Sequence, residues 1–149
     1  MRVVVQRVTE ASVTINGETI SAINEGLLLL IGITHSDSEN EIDRITRKIV
    51  TLRIFDDEKG VMNRSVQDIG GSILAVSQFT LYGNCKKGNR PSYIDAAPGA
   101  VSEPLYDAFC DRLEQILPGK IQRGRFGADM KVQLLNNGPV TILLDSNNL

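Results

Sequence analysis

The sequence is poor in the residues that most enzymes use for side-chain chemistry. Its 149 residues include one histidine, His35, two cysteines and no tryptophan. It has no Gly-x-Ser-x-Gly motif and no Cys or His cluster with metal-ligand spacing, so serine-hydrolase and zinc chemistry both lack an evident carrier. We therefore expect no metal and no cofactor. Any chemistry should depend on backbone groups, hydroxyls and the substrate itself.

Long apolar runs and an excess of positive charge are also missing. The apolar stretch at 26–33 is much shorter than the roughly 18 residues that would indicate a membrane span. The N-terminus lacks the apolar core and cleavage site of an export signal. A formal net charge of −2 excludes a generally basic surface, so a nucleic-acid partner would need a local basic patch. We expect a cytoplasmic protein without a membrane partner, with Cys85 and Cys110 as free thiols.

Apolar patterning predicts one domain over 1–149 in which strands outnumber helices. The β-branched segment before Asn16-Gly17 and the segment 18–23 after it predict a hairpin, because Asn-Gly tolerates the positive φ angles of a two-residue turn. The segment 26–33 is apolar on both faces and predicts a central strand. Further strands are expected at 72–81, 130–135 and 140–144.

Two helices are predicted. Ser38 and Glu41 match a capping box, and apolar residues follow at helical spacing, so the first helix should cover about 39–52. Ser102 should cap the second helix, which Pro118-Gly119 should end. Between 82 and 99, Gly and Pro residues are frequent and periodic apolar positions are few. That composition is typical of a long functional loop.

The first candidate site is Ser77-Gln78-Phe79-Thr80-Leu81, at the end of a predicted strand. Backbone N–H groups that no longer pair within the sheet can donate to a ligand there, and two such donors can form an oxyanion hole. Ser77 and Thr80 could equally satisfy local backbone groups. Neither hydroxyl has a predicted basic partner to activate it.

The second candidate site is Gly138-Pro139, inside Asn137-Gly138-Pro139-Val140-Thr141. A backbone that is bare at Gly138 and stiff at Pro139 suits close contact with a small ligand. The same residues could instead form a simple turn between two strands.

Four motifs, in their order and spacing, resemble the bacterial and eukaryotic D-aminoacyl-tRNA deacylase family. They are Ser77-Gln78-Phe79-Thr80-Leu81, Asn89-Arg90-Pro91-Ser92, Gly124-Arg125-Phe126-Gly127-Ala128-Asp129-Met130 and Asn137-Gly138-Pro139-Val140-Thr141. The resemblance implies an α/β fold with mixed, largely antiparallel barrel-like sheets and two packed helices, working as a homodimer. It also implies hydrolysis of the ester bond of D-aminoacyl-tRNA, and of glycine mischarged on tRNA(Ala).

The resemblance further implies roles for individual residues. The Gly138-Pro139 peptide would be cis and would enter the partner subunit's active site, where its carbonyls would hold the α-amino group of the substrate. Arg7 would brace this segment. A D side chain would then find open space while an L side chain would collide with backbone, so selection would work by exclusion.

Further roles concern the reaction centre and the RNA. Ser77, Gln78, Phe79 and Thr80 would form or line the donor-rich floor that faces the scissile carbonyl. Phe126 and Met130 would shape the pocket for the terminal adenosine or the aminoacyl group. A basic patch could hold the phosphates of the acceptor end with salt-dependent binding; its residues are Lys86, Lys87 and Arg90.

Three interpretations of the chemistry stay open at this point. We favour water attack that is assisted by the 2′-hydroxyl of the terminal ribose and stabilised by backbone donors, because Thr80 lacks a base. The chain could instead be a small-ester hydrolase with Ser77 or Thr80 as its nucleophile. It could also be a non-catalytic RNA-binding module built on the loop 82–93.

Overall fold

The sheet is arranged around one long N-terminal strand. In this computed structural model, which describes residues 1–149, strand β1 (Arg2–Ile15) pairs antiparallel with three others. They are β2 (Glu18–Ile23), β3 (Gly26–Gly32) and the C-terminal strand, which covers Lys131–Asp145. The first half of β1 pairs with β3 and the second half with β2. The C-terminal strand runs along the other edge of β1 over almost its whole length.

The remaining elements complete a mixed, barrel-like sheet with two helices. Along the chain they are α1 (Glu39–Thr51), β4 (Phe55–Asp56), β5 (Met62–Arg64), β6 (Ser72–Ser77), α2 (Gly99–Ile116) and β7 (Ile121–Arg123), so the C-terminal strand is β8. The main sheet has the order β2-β1-β3-β6-β7, with β8 also on β1, and β6 pairs in parallel with β3 and β7. Two short 3-10 helices cover Phe79–Tyr82 and Ser146–Asn148. The predicted fold class is confirmed in these respects.

Strand β3 is covered on both faces, as its apolar composition predicts. Leu27 and Leu29 belong to the larger core, which the two helices cover with residues such as Ile45 and Phe109. Leu28 points the other way, into a smaller cluster inside the curved sheet. Because successive side chains of a strand point to opposite faces, a strand with cover on both sides must be apolar throughout.

Local signals in the sequence identify the first hairpin and the first helix correctly. Asn16 and Gly17 adopt φ angles of 50° and 78°; β1 ends just before them and β2 begins just after them. Ser38 caps α1, and its side chain and that of Glu41 form the reciprocal hydrogen bonds of a capping box. No helix combines the length and the apolar composition that a membrane crossing requires.

Two predicted boundaries are wrong. Helix α2 begins at Gly99, because the Pro98 carbonyl accepts hydrogen bonds from the N–H groups of Val101 and Ser102. Ser102 is therefore inside the helix, and its hydroxyl donates to the same carbonyl at 3.1 Å. The strand predicted at 72–81 ends at Ser77 and gives way to the first 3-10 helix.

The two strands predicted at 130–135 and 140–144 form one continuous strand, β8. Gly138-Pro139 lies inside this strand rather than in a turn between two strands. The reason is the length of β1, which offers pairing partners on both sides of the interruption, with register shifts between Gln6 and Val8 and between Val8 and Glu10. No local signal in residues 130–144 reveals a partner so distant in sequence.

The capping box of α1 allows a stability test that depends on pH. The Ser38 hydroxyl, and next its backbone N–H, donate to the Glu41 carboxylate and hold the pKa of Glu41 below its ordinary value. The stability that these hydrogen bonds contribute is fully present above the pKa that Glu41 has in the unfolded chain. It is lost as the pH falls through the lower pKa that Glu41 has in the folded protein. We expect Ser38→Ala to lower the free energy of unfolding by about 1 kcal/mol near neutral pH.

The loss should become smaller as the pH falls through the lowered pKa of folded Glu41, where its carboxylate takes up a proton. Urea unfolding at several pH values measures it. Ser36→Ala is the matched control, because Ser36 is exposed and takes no part in the box. A loss that is equal for both variants, or independent of pH, would contradict the assignment.

Candidate active site

A cavity of about 350 Å³ opens where the parallel strands β3 and β6 end side by side. Its wall is mainly apolar and comes from the ends of these strands, the segment 126–130 and the start of α2. The polar side chains are few. The residues that line it are Ile31, Ile33, Val76, Ser77, Gln78, Phe79, Ala97, Ser102, Phe126, Gly127, Ala128, Asp129, Met130 and Val132. An apolar cleft with a few polar groups on one side is typical of a small-molecule site.

Backbone donors become available just after β6. The N–H of Gln78 donates to the Ile31 carbonyl at 2.7 Å, which continues the pairing of β6 with β3 by one residue. The N–H groups of Phe79 and Thr80 donate to no loop carbonyl and to no side chain. As the first residues of a 3-10 helix, they have no acceptor within it either. Free donors therefore begin at Phe79, and the main-chain N–H of Gln78 is already paired.

The hydroxyls of this segment have no base beside them. Thr80 Oγ1 accepts a hydrogen bond from Gln78 Nε2 at 2.5 Å, and Thr80 is exposed outside the cavity. Ser77 lines the cavity, but no hydrogen bond joins its side chain to a histidine or a carboxylate. His35 is exposed, and its Nε2 lies 2.7 Å from the Ile94 carbonyl. The arrangement lacks the nucleophile and base contact that covalent hydrolysis requires.

Buried Tyr106 supports the cavity wall, because its ring packs on Phe126, which lines the cavity. The Tyr106 hydroxyl donates to the Ala75 carbonyl at 2.9 Å, and its ring packs against Phe126 with centroids 6.0 Å apart. Burial raises the pKa of Tyr106 above its ordinary value and raises the pKa of Cys110 to about 11. Both groups are therefore neutral near pH 7, and they act as packing rather than as acid or base.

Met130 closes one side of the cavity against a glycine. A Cβ built on Gly124 would lie 2.6 Å from the Met130 sulfur. Only a residue without a side chain lets the thioether occupy this place. The two glycines of the motif at 124–130 therefore have different uses, because a Cβ on Gly127 would meet open space while its φ angle is +75°.

The Gly138-Pro139 segment lies apart from the cavity of its own chain. Its peptide bond is cis, as the family resemblance implies, and both residues are exposed. Arg7 lies beneath it with 7% of its surface exposed. Arg7 Nε donates to the Asn137 carbonyl at 3.0 Å, and Nη1 donates to the Ile54 carbonyl at 2.7 Å. A Cβ on Gly138 would lie 2.5 Å from Arg7 Nη2, so no larger residue fits without displacing the guanidinium.

The basic residues of the long loop are exposed and also lie outside the cavity. Asn84 and Ser92 exchange two backbone hydrogen bonds of 2.8 and 2.9 Å, which close the loop at its base. No acidic side chain pairs with the three cations that the loop carries, Lys86, Lys87 and Arg90. These charges are available to an anionic partner.

The structure thus brings together only part of the predicted site. Ser77, Gln78, Phe79, Phe126 and Met130 line one cavity. The residues that lie elsewhere are Thr80, Arg7, Gly138, Pro139, Lys86, Lys87 and Arg90.

Sequence reasoning missed two polar residues in the wall, Ser102 and Asp129. The sequence predicts Ser102 as a helix cap, whereas it lies inside α2 and lines the cavity. Asp129 belongs to the motif at 124–130, and its carboxylate is 2.8 Å from Lys131 Nζ. No three His, Cys, Asp or Glu side chains come together in a way that could hold a metal ion.

Comparisons with known proteins place this geometry in a family context. The family model described as D-Tyr-tRNA(Tyr) deacylase matches residues 4–145. A D-aminoacyl-tRNA deacylase of Bacteroides thetaiotaomicron is 58% identical over 148 residues, which is 99% of each chain. One from Halalkalibacterium halodurans is 55% identical over 146 residues, which is 98% of this chain and 99% of that protein.

Two solved structures share the fold. A protein described as the c-Myc DNA unwinding element binding protein is 46% identical, with a TM-score of 0.93 over 97% of this chain and 98% of its own. A probable eukaryotic D-amino acid tRNA deacylase has a TM-score of 0.80 over 96% of this chain and 97% of its own. At 17% identity, this second likeness speaks for the fold alone.

Replacing Arg7 tests the contacts that hold the 137–139 segment. Arg7→Lys keeps the charge, but one ammonium cannot reproduce two donors directed at separate carbonyls. We expect it to lower the free energy of unfolding by about 2 kcal/mol, because a buried carbonyl then loses its donor. Arg53→Lys is the control, since Arg53 is exposed, and it should change stability by less than about 0.5 kcal/mol. Equal effects in denaturant titrations would show that the Arg7 contacts are not structural.

Proposed function

Because the chain belongs to the D-Tyr-tRNA(Tyr) deacylase family, we propose that it hydrolyses the ester bond that joins a D-amino acid to the 3′ end of tRNA. The products are the free D-amino acid and tRNA. Residues 1–149 act as a single deacylase domain in the cytoplasm, where charged tRNA is used. The observation that carries the proposal is the apolar cavity whose rim includes Phe79, followed by backbone N–H groups with no partner in the protein.

The unpaired donors suit the transition state of ester hydrolysis. As water adds to the carbonyl carbon, negative charge develops on the carbonyl oxygen, and the N–H groups of Phe79 and Thr80 stabilise it. Removing one such donor costs about 2.7–4 kcal/mol in well-studied hydrolases. Gln78 contributes through its side-chain amide rather than its main-chain N–H, because that N–H donates to Ile31.

The substrate supplies the proton transfer that the protein lacks. Water attacks the carbonyl carbon, and the 2′-hydroxyl of the terminal ribose accepts a proton from it while donating its own proton to the departing 3′-oxygen. The ester C–O bond breaks, and the ribose regains its 3′-hydroxyl. This route is supported by the absence of a base beside the hydroxyls of Ser77 and Thr80. The same observation argues against a small-ester hydrolase that uses either hydroxyl as its nucleophile.

Handedness is selected across a homodimer. The Gly138-Pro139 segment of each subunit enters the cavity of the other, and its carbonyls hold the α-ammonium group by charge-assisted hydrogen bonds. With the ester and the amine fixed, a D side chain points to open space and an L side chain meets backbone. Glycine has no side chain and also enters, including glycine mischarged on tRNA(Ala). Support comes from the exposure of the segment, its bracing by Arg7 and its position outside its own cavity.

The RNA is held at two further places. Phe126 and Met130, in the cavity wall, contact the terminal adenosine or the aminoacyl group. Lys86, Lys87 and Arg90, on the exposed loop, hold phosphates of the acceptor end, which makes binding weaken as salt rises.

A second candidate function is non-catalytic nucleic-acid binding. It is favoured by the basic loop and by the relative whose description names binding to a DNA unwinding element. A module of this kind would bind tRNA tightly and release it unchanged.

Matched substrates of opposite handedness test the activity. We expect purified protein, in excess chelator, to deacylate D-aminoacyl-tRNA at least about 100-fold faster than the L form, which corresponds to about 2.8 kcal/mol of exclusion. Release of labelled amino acid from the two charged tRNAs measures both rates. Equal rates, or no hydrolysis, would count against the proposal. Tight binding of tRNA without turnover would favour the second candidate.

The role of the inserted segment is tested by Gly138→Ala. The added methyl would lie 2.5 Å from Arg7 Nη2 and 3.0 Å from Val140 Cγ2, at a φ angle of +123°. We expect kcat/KM for D-aminoacyl-tRNA to fall more than about 100-fold, whereas the strained backbone should cost only about 1–3 kcal/mol of folding stability.

Gly60→Ala is the matched control for that variant. Gly60 also has a positive φ angle, +74°, but a Cβ there meets nothing within 4 Å. The Gly60→Ala variant should lose stability through backbone strain and keep its activity. A folded Gly138→Ala variant with full activity and unchanged preference for the D form would overturn the assignment.

A further inference from the structure

An exposed pair of aromatic rings lies at the mouth of the cavity. Phe79 and Tyr93 meet edge to face, with ring centroids 5.2 Å apart and planes inclined by 75°. Phe79 is 57% exposed and Tyr93 is 39% exposed, although Phe79 also lines the cavity. Large aromatic surfaces exposed beside a cleft are a common mark of a binding site. The terminal nucleoside in the cavity does not account for the pair, because Tyr93 does not line the cavity and more than half of Phe79 is exposed.

The pair is fixed in place before any ligand binds. A Cβ on Gly83 would lie 3.1 Å from Tyr93 Cε1, so the tyrosine ring packs directly over the glycine backbone. Ser92, the preceding residue, exchanges two backbone hydrogen bonds with Asn84. Beyond the tyrosine, the Asp95 carbonyl accepts a hydrogen bond from Thr34 Oγ1 at 2.6 Å. A ring that is held this firmly loses little conformational entropy when a flat group stacks on it.

Positive charge adjoins the pair through the same backbone contact. The hydrogen bonds between Asn84 and Ser92 close the loop that carries Lys86, Lys87 and Arg90, and Tyr93 is the next residue along the chain. These cations have no acidic partners in the protein. The aromatic pair therefore lies between the cavity and the base of a basic loop. Exposed rings beside unpaired cations are the combination that proteins use to bind single-stranded nucleic acid.

We propose that Phe79 and Tyr93 stack the nucleobase next to the terminal adenosine, with Tyr93 as its main support. The inference rests on the proposed function, in which the terminal nucleoside occupies the cavity. The RNA must then leave across the mouth of the cavity, where the two rings lie, and its next phosphates approach the basic loop. Stacking does not distinguish strongly among bases, so this contact positions the acceptor end of any tRNA.

Tyr93 provides the cleaner test, because Phe79 also contributes a backbone donor to the reaction centre. We expect Tyr93→Ala to raise KM for D-aminoacyl-tRNA about tenfold, and Tyr93→Phe to keep the wild-type value. Neither variant should change kcat/KM for D-aminoacyl-adenosine, which lacks the stacked nucleotide. Ile94→Ala, at the 78% exposed neighbour, is the control for lost apolar surface and should behave as wild type on both substrates. An equal loss on both substrates, or a Tyr93→Ala variant with an unchanged KM for tRNA, would overturn the proposal.

A binding experiment separates this inference from the proposed function. Wild-type protein should bind a short uncharged RNA ending in CCA about tenfold more tightly than the same RNA with an abasic penultimate position. Tyr93→Ala should bind both RNAs equally. This binding pattern supports the stacking contact even if the protein hydrolyses no ester. If the protein hydrolyses D-aminoacyl-tRNA but does not show this binding pattern, the stacking contact is overturned and the proposed function is not. A Tyr93→Ala variant that sediments as a different oligomer from wild type would place the rings in a contact between copies and overturn the proposal.

Discussion

The buried guanidinium of Arg7 joins three distant parts of the chain, and the rigidity of the candidate selectivity segment depends on it. Arg7 lies on β1 and donates to the carbonyls of Asn137 on β8 and Ile54 before β4. Its contact with the Asp56 carboxylate is longer, at 3.4 Å, and that carboxylate is 53% exposed, so solvent screens most of the attraction. The two carbonyl contacts therefore do most to offset the cost of burying the charge. They also fix the 137–139 backbone from below, while its outer surface stays free.

Backbone groups, rather than side chains, also supply the functional contacts of the candidate reaction centre. Tyr106 and Cys110 are held neutral by burial. Ser77 and Asp129 line the cavity, but no hydrogen bond joins the hydroxyl to the carboxylate, which pairs with Lys131 instead. What the cavity offers instead is the end of a parallel strand pair, where pairing stops after Gln78 and the next N–H groups are unpaired. A backbone N–H does not titrate in the ordinary pH range, and its direction is fixed by the main chain. Such a site is set by the register of β3 and β6 rather than by the titration of any side chain.

Local signals in the sequence predict local structure well here. The Asn16-Gly17 turn and the Ser38–Glu41 capping box each need only a few adjacent residues, and both are present. The continuity of β8 depends instead on pairing with β1, more than a hundred residues away, so the segment read alone suggests a turn at Gly138-Pro139. In the candidate site, too, local sequence predicts some features and only the folded chain determines the others. The motifs identify the residues from Ser77 to Phe79, Phe126 and Met130, but only the folded chain brings them to one cavity and leaves Arg7 and Gly138 apart from it.

The exposed face of β8 links subunit association to selectivity in the proposed dimer. On this face Leu135 and Leu143 flank the Gly138-Pro139 segment, with 55% and 67% of their surfaces exposed. Burying two such leucines against a second copy would stabilise association through the hydrophobic effect, and it would carry the segment between them into the contact. Because Arg7 holds that segment firmly to its own subunit, its depth in the other cavity is then set by how the two β8 strands meet. Separation of the subunits would remove the stereochemical barrier and the ammonium site in one step, while the backbone donors at Phe79 and Thr80 stayed in place.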